Sequence, residues 1–364
     1  MKRFIPLILG VAVLATMAYL LSPSQIFKVA VSGESSVVLY TSADDEFAKL
    51  VAEEFTKDTG IAVKLVGDTE ATKTTGLVAR LKAEAADPKC DVWWSSEPFG
   101  TIELKEAGVL SNKYFDGIVQ DWPDSLLDPE WTWIGFASRA RVIAYASDRI
   151  DTPPTTLRDF AQPQWKGRIG MARPQFGTTR GHMGILAAQW GLPQFERWLT
   201  MLKNNNIRLY DGNASVVRAI AMGEIDLGLT DTDDVWAGQR NNWKVDCVYD
   251  SFDSPMNLNT LSSKGPALLP NTVAIIEGSP NWTRAYKLAE FLLSPRVEQL
   301  LAESTSKNIP ANPELVDLFN ATAPESLTAP DSNRLKGQDI YPNFSDAFHQ
   351  IPEALDACDR ILTP

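Results

Sequence analysis

The stretch Val37-Val38-Leu39-Tyr40-Thr41-Ser42-Ala43-Asp44, with Phe47, Leu50, Val51 and Phe55 after it, decides the fold class. Four consecutive apolar residues suit a short buried strand, and Thr-Ser-Ala-Asp ends it. From Asp44 the apolar positions recur at helical spacing until Gly60 stops the helix. A second strand follows at 61–66, a second helix at 77–86 and a third strand at 90–94. Strand, helix, strand, helix, strand predicts an open α/β sheet with largely parallel strands. Ligands of such sheets bind at loops beyond the carboxyl ends of the strands. That rule points to residues 41–45, 68–70 and 95–99.

A second unit of the same kind follows. The strand at 167–172 runs into Arg173-Pro174-Gln175-Phe176-Gly177-Thr178-Thr179-Arg180-Gly181, with helices expected over 182–190 and 195–203. A strand at 208–210 leads to Asp211-Gly212-Asn213 and a helix over 214–222. Another at 226–229 ends in Thr230-Asp231-Thr232-Asp233-Asp234. A strand is expected at 273–276, a helix over 282–293 closed by Ser294-Pro295, and a last helix near 353–362. Residues 321–343, rich in Pro, Ser and Asp, read as a surface wrap before it. The 364 residues suit two domains better than one.

Acidic residues outnumber basic ones 46 to 34, and the net charge of −12 argues against nucleic acid or anionic lipid as a partner. Cys90, Cys247 and Cys358 lie far apart with no C-x-x-C spacing, which argues against a structural zinc or iron–sulfur site. An exported chain could pair two of them; the sequence does not choose the pair, and Cys90 beside Val92 suits a buried free thiol. Export is signalled by Lys2 and Arg3 ahead of an apolar run over 4–21. The run is close to the roughly 20 residues a helix needs to cross a bilayer, so a cleaved signal and a retained anchor both stay open. Residues 25–36 read as a polar leader.

Short blocks in one order resemble the extracellular iron(III)-binding proteins of ABC importers. They are Val38-Leu39-Tyr40-Thr41-Ser42-Ala43-Asp44, Phe55-Thr56-Lys57-Asp58-Thr59-Gly60-Ile61, Asp91-Val92-Trp93-Trp94 and Glu106-Ala107-Gly108-Val109-Leu110. Further on stand Ser138-Arg139-Ala140-Arg141-Val142-Ile143-Ala144-Tyr145, Pro163-Gln164-Trp165-Lys166-Gly167-Arg168-Ile169-Gly170, Ala219-Ile220-Ala221-Met222-Gly223-Glu224-Ile225-Asp226 and Ala289-Glu290-Phe291-Leu292-Leu293-Ser294. The resemblance covers roughly residues 37–315. It implies an α/β, two-lobed periplasmic-binding-protein fold (type II) hinged by two crossing strands, the first at 138–145. By the same resemblance, 36–138 and 260–315 form lobe 1, 139–259 lobe 2, and 316–364 a tail packed on the lobes, after a signal or anchor plus leader at 1–35. The implied protein is a monomeric, non-catalytic receptor, periplasmic or extracellular, that passes its solute to an ABC permease in the inner membrane. It has no cofactor, any metal being cargo. No G-x-S-x-G, P-loop or histidine triad offers an enzymatic alternative.

At the implied site the chain departs from the family. Iron-binding members carry two adjacent tyrosines where this chain has Asp233-Asp234, and often a histidine where it has Asp44. A family glutamate falls at Ser96, with Glu97 one residue on. Aspartate and glutamate are hard oxygen donors, so Asp233, Asp234, Glu97 and Asp44 are the candidate metal ligands. Gly177, Thr178, Thr179 and Arg180 offer backbone N–H groups, hydroxyls and a guanidinium, which suit an anion. In the resembling proteins that loop holds the anion accompanying the metal, and Asn213 falls where they use a further polar group on it. Ser42, Ala43, Asp231 and Thr232 complete the candidate ligand-binding set. Each has a plainer alternative: Asp, Thr and Asn cap helices, and acids suit the positive helix end. Two ligands stay open, a hard cation such as iron(III) with a synergistic anion, or a small organic anion such as a phosphonate or sugar phosphate. A ligand sensor on the same fold is the further alternative.

Overall fold

The computed structural model describes residues 26–28 by their backbone and, in full, 35–68, 74–113, 119, 122–249, 266–312, 314–315 and 341–363. The predicted export segment at 1–25, residues 69–70 of one ligand loop, the boundary at 260 and most of the tail at 316–340 lie outside them.

Among the described residues ten strands form one sheet: β1 (Ile26–Lys28), β2 (Ser36–Thr41), β3 (Ala62–Gly67), β4 (Val92–Ser95), β5 (Ile134–Ala146), β6 (Ile169–Ala172), β7 (Arg208–Tyr210), β8 (Leu227–Asp231), β9 (Val245–Tyr249) and β10 (Leu268–Ile275). Their order is β1-β3-β2-β4-β10-β5-β8-β6-β7, with β9 on the other edge of β5. β2 runs parallel to β3 and β4, and β6 parallel to β7 and β8, as the two predicted α/β units require. β5 joins the units. Its residues Ile134–Ala140 pair antiparallel with β10, and Arg141–Tyr145 pair antiparallel with β8.

The principal helices are α1 (Asp45–Thr59), α2 (Thr75–Ala83), α3 (Pro98–Glu106), α4 (Gly177–Trp190), α5 (Leu192–Asn204), α6 (Asn213–Ala221), α7 (Thr232–Arg240), α8 (Trp282–Leu292), α9 (Pro295–Glu303) and α10 (Phe344–Leu362). α1 shows why the local reading works. Asp45 and Glu46 sit in its first turn, Lys57 in its last, and Gly60 at φ 71° closes it with an N–H to the Thr56 carbonyl. Its buried face is Ala48, Val51, Ala52 and Phe55.

Several elements differ from their sequence expectation. The polar leader contains β1, which adds an edge strand to β3. α4 starts at Gly177 rather than 182, because Gly177, Thr178, Thr179 and Gly181 at its start resemble a loop. α10 begins at Phe344 rather than 353 and passes through Pro352. It packs on α4 where glycine allows close approach, a Cβ at Gly184 falling 2.6 Å from the Ala347 carbonyl oxygen. α3 carries no strong apolar period, and α9 follows directly on Ser294-Pro295, which reads as the close of α8 although it also caps and opens α9. α9 nevertheless inserts a carboxylate into the junction: Glu298, fully buried, accepts from the N–H groups of Ala137 (2.9 Å), Ala311 (2.8 Å) and Asn312 (2.7 Å). All three cysteines are free and buried. Among the described residues no helix is long and apolar enough to cross a membrane.

Candidate functional site

The site forms where β8 leaves its sheet. Asp231, its last residue, is 3% exposed, and both carboxylate oxygens are engaged. Arg141 Nη1 donates to Oδ1 at 2.8 Å, Asn213 Nδ2 to Oδ2 at 2.9 Å, and the Thr178 hydroxyl also donates to Oδ2. Thus the start of α4, the start of α6 and β5 converge on one carboxylate. Thr179 completes the cluster, its hydroxyl donating at 3.1 Å to the Asn213 side-chain oxygen Oδ1. Arg141 Nε donates to His182 Nδ1 at 3.3 Å. Burial first, and the neighbouring guanidinium second, hold His182 well below its usual pKa, so the ring is neutral.

Asp233 and Asp234 lie in the first turn of α7, and one oxygen from each of Asp231, Asp233 and Asp234 falls within 4.8 Å of the others. Arg139 lies against this group, its Nη1 3.5 Å from Asp233 and its Nε 3.6 Å from Asp231. Its Nη2 donates 2.6 Å to the Ser96 carbonyl after β4, so one guanidinium ties the two sheet units together. Burial opposes its charge, but Asp233, Asp231, Asp44 and Asp234 outweigh that and raise its pKa. A cavity of about 20 Å³, lined among others by Ala43, Asp44, Ser96, Arg139, Asp233 and Asn271, opens beside it. That is space for one water-sized body. A larger cavity of about 910 Å³ lies between α3 and the start of α10 and holds none of these acids.

The remaining candidates are placed as follows. Asp44 is exposed at the start of α1 and lines the small cavity. Ser42 is buried; its hydroxyl accepts from the Ser96 N–H at 2.9 Å. Thr232 Oγ1 accepts from the Ala140 N–H at 3.3 Å. Gly177 is the first residue of α4, with φ 57°. Arg180 turns toward α3, its Nη2 3.9 Å from Glu103. Glu97 stands apart from the aspartates as the cap of α3, accepting from Phe99 N (2.7 Å) and Gly100 N (2.9 Å). Burial pushes its pKa up against those bonds. Arg139 and Arg141 were not singled out from the sequence. Their signal was there: two arginines two apart share one face of an otherwise apolar strand, where an isolated charge needs partners.

Comparison with known proteins agrees with this architecture. Residues 51–329, well over half the chain, match the family described as bacterial extracellular solute-binding protein. The chain is 25% identical over 299 residues to the major ferric iron-binding protein of Neisseria meningitidis, covering 81% of this chain and 87% of that one. It is 25% identical to iron uptake protein A1 of Synechocystis, covering 74% of each. A Trichodesmium protein solved in complex with iron and citrate superposes with a TM-score of 0.72 over 90% of this chain and 99% of that one, at 23% identity, which shows the two-lobed solute-binding fold. The chain belongs to the bacterial extracellular solute-binding proteins.

Proposed function

We propose that this protein is the extracytoplasmic receptor of an ABC importer and captures a hard metal cation, iron(III) foremost, between its two sheet units. The observation that carries this is the acidic group at the β8–α7 junction, whose three carboxylates bring oxygens within 4.8 Å of one another beside a cavity of ion size. Asp233 and Asp234 are the ligands, and Asp44, across the cavity on the other unit, completes them on closure. Asp231 supports them from behind, and Glu97 stays a helix cap. The relatives' names, a ferric iron-binding protein and an iron uptake protein, support iron(III) over an organic anion. The cation bridges the units and biases them toward the closed form by its differential affinity, and the closed form docks on the permease. The receptor acts as a monomer outside the inner membrane, exported by the apolar segment at 4–21.

The test is metal loading. Protein stripped by chelation is exposed to iron(III), manganese(II), calcium(II) and magnesium(II), and bound metal is counted by native mass spectrometry alongside the melting midpoint. Iron(III) is expected to bind one per chain and to raise the midpoint, and the Asp233→Ala/Asp234→Ala double variant is expected to lose both effects. A double variant that keeps its metal rejects the assignment.

A further inference from the structure

We propose that Asp231 is an anion supplied by the chain itself, so that cation capture here needs no free carbonate or phosphate. The inference rests on the cation reading above but is tested apart from it. The groups that would cradle a small anion are all present: the first turn of α4, the Thr178 hydroxyl, the Asn213 amide and the Arg141 guanidinium. The three side chains among them each turn a donor onto Asp231. A carboxylate has two oxygens and about four acceptor positions. Here Oδ1 takes Arg141 and Oδ2 takes Thr178 and Asn213, with Arg139 Nε 3.6 Å from Oδ2. Asp231 is 3% and Arg141 2% exposed, so the pair is shut off from bulk anions.

A second feature marks the occupant as tethered: its approach to Arg141 is set by the end of β8 and uses one prong only. Arg141 Nη2 is buried and makes no hydrogen bond, although a guanidinium presents its donors as a fork suited to two acceptor oxygens. Asp231 meets that fork with only one oxygen, through Nη1. The chain thus fills the anion position covalently tethered, at no cost in association entropy. Its neighbour Asp233 lines the cavity, with an oxygen of Asp234 within 4.8 Å of it.

The experiment needs no metal. The metal-free wild-type chain is titrated with inorganic phosphate, bicarbonate and formate, with chloride as the ionic-strength control, following melting midpoint and heat. The wild type is expected to respond no more than to chloride. Asp231→Ala is expected to melt lower and to recover in a saturable way with formate or phosphate, because the vacated cradle accepts them. Asp231→Asn, which fills the space without the charge, is expected to melt lower without recovery. Saturable phosphate or bicarbonate binding to the wild type, abolished by Thr178→Val, overturns the proposal, and this arm stands even where Asp231→Ala fails to fold. An Asp231→Ala chain that folds and ignores every anion also overturns it. Failure of iron(III) to bind the wild type would count against the cation reading and leave these anion results as they are.

Discussion

Arg139 is a side chain that links the two sheet units at the site. It reaches from β5 to the Ser96 carbonyl of one unit and to Asp233 and Asp231 of the other, doing with a tethered charge what a bound cation would do. Arg139→Gln shortens the side chain and removes the charge. Small-angle X-ray scattering of the metal-free variant is expected to show a larger radius of gyration than the wild type, as the closed population falls. An unchanged radius would mean that closure rests on other contacts. Glu97 makes the opposite prediction. Because both its oxygens cap α3, Glu97→Ala is expected to cost about 1 kcal/mol in denaturant unfolding and to leave iron(III) binding intact. The thiols complete the residue scale. Burial first pushes Cys90 and Cys247 far up and Cys358 to about 12. None should react with an alkylating reagent at neutral pH until the chain is unfolded, and mass spectrometry after labelling checks this.

Among the elements, α4 and α10 depend on a missing side chain. A Cβ at Gly184 would lie 2.6 Å from the Ala347 carbonyl and 2.6 Å from Ile351, both held in the facing helix. Gly184→Val is therefore expected to destabilise by about 1–3 kcal/mol, read from urea unfolding. How far such elements were legible follows from their signal. β2, α1, β3 and β4 could be read because apolar runs and periods coincide with caps such as Gly60. α10 could not be read past Pro352, since proline weighs locally as a helix breaker, while its partners on α4 lie far off in sequence. The site was half legible for the same reason. Asp231, Asp233, Asp234, Thr178 and Asn213 stood out at strand and helix ends. That Asp231 faces Thr178 and Asn213, and that Glu97 turns back onto its own helix, depends on pairings a linear pattern does not contain.

At the scale of the whole molecule, the junction carries a pH dependence. Glu298 of α9 is buried against β5, and among the described residues no cation lies beside it; the titratable side chain of Tyr341 senses its charge. Burial first, partly offset by the N–H groups of Ala311, Asn312 and Ala137, raises its pKa from 4.5 to about 7. The folded chain thus holds this proton to higher pH than the unfolded one. The stability it contributes is full below about 4.5 and is lost as pH climbs through about 7. The swing is of order 3 kcal/mol. Unfolding free energies of the wild type measured from pH 5 to 8 should fall relative to those of Glu298→Gln, and parallel curves would refute this.

β5 has a further consequence for how the protein comes apart. A strand whose leading half is laced to β10 and whose trailing half is laced to β8 and β9 cannot be released from one sheet without exposing its apolar residues in the other. Calorimetry of the metal-free protein should accordingly record one heat-absorption peak, its van't Hoff and calorimetric enthalpies equal, in place of the two successive transitions of independent lobes.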